Sequence, residues 1–342
     1  MPKFRTITAV LALSTAPALA APNVVTDIPA IGSLVQQVMG DLGQPEVLLE
    51  AGGNAHSYQL RPSQAAALQA ADLLIWVGPE LSPWLERAGG GSKAGSVALL
   101  GLDATHRQDF GDGAAHDHDD DHDHADDHAH EGEGEHDHAH DDHDHDHGDH
   151  THDHEEHEHD DHDHDHDHSG TDPHAWLDPE NARQWLTVIA AKLSEKDPEN
   201  AAVYQENAAR AAQSVTAAET EISAMLAPVR DKKFIVFHDA YGYFTGHFGL
   251  HPAISISLGD ASTPSAARLA KIREQVAAGH PVCAFPEANH DVKLVETVIE
   301  GSDVKLGAPL DPAGATAEPG PLLYQDILRG MGKAMAECLS ES

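Results

Sequence analysis

From His116 to His168 the chain carries no apolar side chain larger than alanine. Burial of apolar surface is what offsets the entropy of ordering a backbone, so this stretch cannot build a core and is expected to be disordered without a ligand. Any fold must therefore be assembled from two pieces, residues 21–115 and 169–342, with the tract as an insertion. The tract gathers 21 of the 29 histidines and 25 of the 58 acidic residues, with no Lys or Arg. About two thirds of the formal charge of −38 sits there, in roughly one sixth of the chain. The remainder is mildly acidic and offers no Lys/Arg surface to neutralise phosphates, which argues against a nucleic-acid partner.

The first 20 residues, MPKFRTITAVLALSTAPALA, combine a basic start at Lys3 and Arg5, an apolar run, and small residues at Ala18 and Ala20. That is the layout of a secretory signal peptide cleaved before Ala21. The run is too short, and too broken by Pro17, to span a bilayer. No other segment approaches spanning length, and no cysteine follows the signal to carry a lipid, so a soluble, exported chain is expected. The two cysteines are Cys283 and Cys338. An even number in an exported chain favours a disulfide, here with one pairing available.

Outside the tract, short branched apolar runs alternate with helix-compatible pieces. NVVTDIPAIGSLVQQVMG passes into a helical pattern through a proline; PEVLLE, ADLLIWVG and SVALLG read as strands, and RPSQAAALQAA as a helix. This alternation predicts parallel βαβ architecture. Beyond the tract, WLDPENARQWLTVIAAKLSEK reads as a helix capped by Asp178, with Pro179 in its first turn. Residues 197–229 follow with about 30 residues of good helix formers, no glycine, and no interior proline before Pro228. A helix of that length runs roughly 45 Å. It lacks sustained heptads and is expected to be a rigid connector rather than a coiled-coil arm. KKFIVFH, PAISIS, PVCAFPE and VKLGAPL then repeat the strand pattern, and FTGHFGL, TPSAARLAKIREQVAAG, DVKLVETVIEG and LLYQDILRGMGKAMAECL the helical one. The expected fold is α/β, with two pseudo-related lobes of parallel sheet. Residues 21–115 and 169–196 form one lobe and residues 230–342 the other, joined by the helix at 197–229.

Eight histidines lie outside the tract. Three stand where a strand gives way to a loop: His56 in AGGNAHSYQLRPS, His174 in DPHAWLDP and His238 at the end of KFIVFH. Ligands of open α/β sheets bind beyond the C-terminal ends of strands. Three imidazoles suit Zn(II) and leave one position for a water or a carboxylate. Spacing alone does not separate this reading from three unrelated, satisfied polar side chains, because no short pattern such as H-E-x-x-H is present. Trp76, Trp84, Trp176 and Trp185 read as packing residues, and Tyr58 and Tyr241 as neighbours that shape a pocket.

The segments AGGNAHSYQLRPSQ, DPHAWLDPENA and FIVFHDAYGYFTGHFGL resemble the metal-site segments of the cluster A-I solute-binding proteins of ABC importers, and within them the ZnuA-like periplasmic zinc receptors. The likeness covers nearly the whole mature chain, including the helical connector and the cysteines in VCAFPE and AECLSES. It implies two pseudo-related lobes, a metal site between them, and a monomeric periplasmic receptor that hands Zn(II) to the membrane permease of an ABC transporter. A periplasmic zinc chaperone is a further expected partner. Residue by residue, His56, His174 and His238 match the three histidine ligands. Some zinc members carry a glutamate where Ala55 stands; others use an aspartate matched by Asp311 in GAPLDPAG. Asp311 is therefore a fourth ligand, or a residue that supports the ligands without touching the metal, or a turn residue with a water completing the zinc.

The tract offers interchangeable chelating sets, among them His116, His118, His122, His124, His143, His145, His147, His162, His164, His166 and His168. Each set must order a floppy segment, so individual sites there are expected to be weaker than a preformed pocket and to serve capture or buffering. Three other functions compete, one of them a metal-dependent adhesin that the resemblance permits but no residue supports. A secreted zinc hydrolase would need a general base beside a metal-bound water, for which Glu287 and Asp239 are the available acids. A free-standing periplasmic zinc store would need no permease.

Overall fold

The computed structural model describes residues 21–93, 95–110, 170–251 and 253–341. The signal segment and the histidine tract lie outside the described residues, as do the expectations attached to them.

The first half contains β1 (Val24–Thr26), α1 (Pro29–Met39), β2 (Glu46–Val47), α2 (Pro62–Ala70), β3 (Leu73–Trp76), α3 (Pro83–Arg87) and β4 (Ser96–Ala98). The second contains β5 (Phe234–His238), α6 (Gly242–Phe248), β6 (Ile254–Ser257), α7 (Ala266–Gly279), β7 (Cys283–Phe285), α8 (Lys293–Ile299), β8 (Lys305–Leu306) and α9 (Leu323–Ser340). Between them run α4 (Pro179–Lys196) and α5 (Ala201–Leu226). The sheets are ordered β2-β1-β3-β4 and β6-β5-β7-β8, and every pairing is parallel. The same order recurs in both halves, so the repeated apolar pattern of the sequence is a repeated topology.

Two elements differ from the sequence expectation. PEVLLE gives only two residues of regular strand, yet Leu48 and Leu49 continue the ladder by donating to the carbonyls of Thr26 and Asp27 at 2.9 Å. The helix α3 was not anticipated; Pro83 opens it, and its Trp84 and Leu85 are buried.

Asp178 caps α4 through its side chain, which accepts the Glu180 amide at 2.9 Å. The 26 residues of α5 span about 39 Å at 1.5 Å per residue. Its buried face runs through Tyr204, Ala208, Ala211, Val215, Ala218, Ile222 and Leu226. This stripe has the three-and-four spacing of a packed helix, concealed from a hydropathy reading because alanines fill several positions. The partners are α1, α4 and α9. One continuous core thus passes from the first sheet through these helices to the second, while smaller clusters cover each sheet's other face. All four tryptophans are buried, Trp84 the least so at 4% exposed. The helix α9 is not confined to its own sheet: Tyr324 donates its amide to Ser33 Oγ at 3.0 Å, on α1. A disulfide joins Cys283 on β7 to Cys338 on α9.

Candidate metal centre

In a parallel sheet all C-terminal strand ends open on one side, where departing loops can meet a ligand. His238 is the last residue of β5, His56 lies in the loop leaving β2, and His174 follows β4 and the insertion. Each presents a ring nitrogen such that these three atoms lie within 4.8 Å of one another. Ring centroids are 5.2 Å apart for His56–His174 and His174–His238, and 5.9 Å for His56–His238. The Nε2 atoms of His174 and His238 are 3.3 Å apart. Two nitrogens bound at about 2.0–2.1 Å to a tetrahedral Zn(II) stand about 3.3–3.4 Å apart. That pair is therefore spaced as two ligands of one ion would be.

Buried carboxylates decide which nitrogen faces inward. His174 directs Nδ1 at Asp172 Oδ1, 2.7 Å away, and its backbone amide donates to the same oxygen at 2.9 Å. His238 directs Nδ1 at Glu287 Oε1 at 2.5 Å, an oxygen that also accepts the Tyr241 hydroxyl at 2.8 Å. A carboxylate on Nδ1 holds the proton there and leaves Nε2 with its lone pair for a metal. The loop of His56 is fixed through its backbone: Asn54 Oδ1 accepts the His56 amide at 2.8 Å, and Trp84 Nε1 donates to the Ala55 carbonyl at 2.6 Å.

The surroundings set the protonation. Burial depresses the pKa of His56 and His174 well below the ordinary histidine range, reinforced by the neighbouring rings. Burial also disfavours charge on His238, but the Glu287 carboxylate, helped by Asp239 and Asp172, outweighs it and the net shift is upward. For Glu287, burial is overcome by His238, Tyr241 and His290, which hold the carboxyl below its usual range. Burial pushes the Asp172 carboxyl up to about 7, against its hydrogen bonds from His174 and Gln108. Of the three rings, His238 is the one whose charged form the surroundings favour.

The centre lies where the two halves meet. Its cavity is lined among others by His56, Trp176, Asn289, His290 and Asp311. Trp176 donates to the Pro312 carbonyl at 2.7 Å, and the Gly52 amide to the Ala315 carbonyl at 2.8 Å, each bond crossing between halves. The insertion begins and ends beside the centre: Asp109 pairs with Thr171, and Gln108 Nε2 donates to Asp172 Oδ2 at 3.1 Å. Close approach is required on the facing half. A Cβ at Gly259 would fall 2.2 Å from the Phe110 ring.

Asp311 lines the cavity but stands outside the group of three imidazoles. Its Oδ1 accepts the Ala315 amide at 2.8 Å, and its Oδ2 accepts the amide and hydroxyl of Thr316 at 2.9 and 2.7 Å. In this geometry Asp311 holds a turn. Tyr241 contacts Glu287, whereas Tyr58 packs on Trp84 with ring centroids 5.3 Å apart and does not line the cavity. Glu287 is committed to His238 and Tyr241 and is not poised as a general base. Asp172 and the orienting role of Glu287 were missed from the sequence. Asp172 carried a usable signal, since an aspartate two residues before a ligand, across a proline, can fold back onto it. Glu287 lies 49 residues from its partner and carried none. Replacing Glu287 by Gln keeps the shape but removes the charge that fixes the His238 proton. We expect zinc affinity to fall about 10–100-fold, as for other outer partners of metal-bound histidine, with one ion still bound in competition titration. An unchanged affinity would show that the carboxylate is not orienting a ligand.

The curated ZnuA high-affinity zinc uptake proteins of Paracoccus denitrificans and Brucella suis biovar 1 are 61% and 40% identical to this chain, covering 99% and 93% of it and 98% and 92% of their own lengths. A crystal structure of ZnuA shares the fold, with a TM-score of 0.67 at 21% identity over 93% of this chain and 99% of that one. The family described as zinc-uptake complex component A, periplasmic, matches residues 24–338, and the chain belongs to it.

Proposed function

We propose that this chain is a periplasmic receptor that binds one Zn(II) between its two halves and delivers it to the membrane permease of an ABC importer. The observation that carries this reading is the 3.3 Å approach of two Nε2 atoms whose opposite ring nitrogens are each held by a buried carboxylate. At that distance the two nitrogens are placed to share one cation, a proton or a metal ion. His56 supplies the third nitrogen, and a water in the cavity the fourth ligand. Three nitrogen donors suit zinc better than manganese, which prefers oxygen. The family is one of binding receptors, and delivery rather than chemistry on the ion fits a site whose nearest acids are already engaged. Monomeric action, cleavage of the leader, and supply by a periplasmic zinc chaperone belong to the same proposal. So does metal gathering by the histidine tract.

Deleting residues 116–168 tests the division of labour. The truncated chain is expected to keep a single tight zinc and to lose the additional, weaker equivalents of the full chain. A truncated chain with no tight site would sink the proposal. Loss of zinc-limited growth on removal of the gene, restored by the truncated form, tests delivery.

Zinc must also displace the proton on His238. That pKa is raised above 6.5 while those of His56 and His174 are depressed, so one proton competes in mild acid. Above the raised pKa loading releases no proton from this ring; below it, one leaves per ion. Affinity of the truncated chain should fall about tenfold between about pH 6.5 and about pH 5.5. A flat profile across that window would contradict the assignment.

A further inference from the structure

A fourth imidazole reaches the cavity. His290 follows β7 by a short loop and lines the same space as His56, His174 and His238. Its ring nitrogens fall outside the group whose atoms all lie within 4.8 Å of one another, so it is not placed as a resident fourth ligand. The ring is nonetheless held, stacked on Phe237 with centroids 4.2 Å apart and planes inclined by 26°. Its side chain is 19% exposed, against 1% for His174 and 6% for His238. It therefore lies between solvent and the two buried imidazoles.

The other metal-capable side chains of the cavity are engaged. Asn54 Oδ1 accepts the His56 amide, Asp311 closes its turn, and Glu287 Oε1 serves His238 and Tyr241. The nearest acidic oxygen to the His290 ring is Glu287 Oε2, 3.9 Å from Nε2 and beyond hydrogen-bond reach. Two of the three imidazoles are buried, and an ion bound to them needs a stepwise way in and out. An oriented imidazole at the rim supplies one, because each metal–nitrogen bond can then be exchanged for another rather than broken outright.

We propose that His290 is a transfer ligand: it takes the incoming Zn(II) at the rim, passes it to His56, His174 and His238, and receives it again on release. This rests on the reading of the three-histidine centre as the zinc site. It is tested in the full chain by H290F, which preserves the aromatic stack and removes both nitrogens, with H290Q as a second variant that keeps polarity. Zinc loading by stopped flow, and zinc removal by excess EDTA, should both slow by about tenfold, a barrier increase of about 1.4 kcal/mol. Equilibrium affinity should stay within about threefold, because a shared barrier cancels in the ratio of the rates. The absorption bands of the Co(II)-loaded protein should not move. Rates within about twofold of the unsubstituted chain would overturn the proposal. So would shifted Co(II) bands with weakened affinity, which would make His290 a resident ligand. An H174A chain that binds zinc as tightly as the parent would instead overturn the zinc site itself.

Discussion

Replacement of His174 by alanine is expected to weaken zinc binding about 100–1000-fold in the chain lacking residues 116–168. Protein sites with four ligands bind zinc with about 10–16 kcal/mol, so one ligand carries about 3–4 kcal/mol, and each 1.4 kcal/mol is about tenfold. The three histidines should not be equivalent. His174 and His238 are almost fully buried, at 1% and 4% exposed, and each is held by a carboxylate. Their removal leaves Asp172 or Glu287 buried without its imidazole partner, which adds cost beyond the lost ligand. His56 is only half-buried and its loop is held through the backbone. The expected order of loss is therefore His174→Ala and His238→Ala ahead of His56→Ala. Competition titration with a chelator of known affinity reads all three. Parent-like affinity in any of them would remove that imidazole from the centre, and parent-like affinity in all would remove the centre.

The fold was legible because its local signals agree with each other. VVT before a proline, LLIW, FIVFH and CAF are short branched or aromatic runs that can only be buried strands, and the helical pieces between them force parallel crossovers. The histidines at strand ends followed from the same reasoning, since a parallel sheet puts those ends on one side. The carboxylates that aim the histidines, and the final packing of α9, were less legible. Tyr324 reaches Ser33 across 291 residues, and His238 reaches Glu287 across 49. Neither leaves a trace in local periodicity. The stripe on α5 was hidden for a different reason. Alanine is small enough to let neighbouring helices approach but too weakly apolar to mark a face.

The repeat also explains why the centre is asymmetric. The two sheets have the same order, so each strand end has a counterpart in the other half. Near the same strand ends as His238 and His174 stand Asp27, just past β1, and Asp311, beyond β8. Asp27 is turned into its own half, where Oδ2 accepts the Val77 amide at 2.9 Å and the Ser82 hydroxyl at 3.2 Å. Asp311 is spent on Thr316 and Ala315. At these ends the aspartates hold loops, while the histidines meet at the centre. One half thus provides His56 and His174 while the other provides His238, and an ion held by all three ties the halves together.

Opening the disulfide is expected to lower the stability of the metal-free chain by about 4 kcal/mol, the chain-entropy cost of freeing a loop of that size; the cysteines are 55 residues apart in sequence. Cys283 stands in the middle of the second sheet's pairing, on β7 between β5 and β8. Cys338 stands near the end of α9, whose other contacts run to α1 and α5. The bond therefore adds a covalent tie to its own sheet for a helix that also packs on the first half and the connector. Both sulfurs are buried, at 0% and 9% exposed for their residues, so alanine at both positions leaves little polar disturbance behind. The Cys283→Ala/Cys338→Ala chain should unfold at a lower denaturant concentration than the oxidised parent, and reduction of the parent should give the same midpoint. Zinc affinity should change far less than stability, because no ligand or orienting carboxylate sits on α9. Saturating zinc should recover part of the lost stability in the variant, since an ion bound only by the folded state stabilises by mass action. Coincident unfolding curves for oxidised, reduced and substituted chains would show that the helix is held by its packing alone.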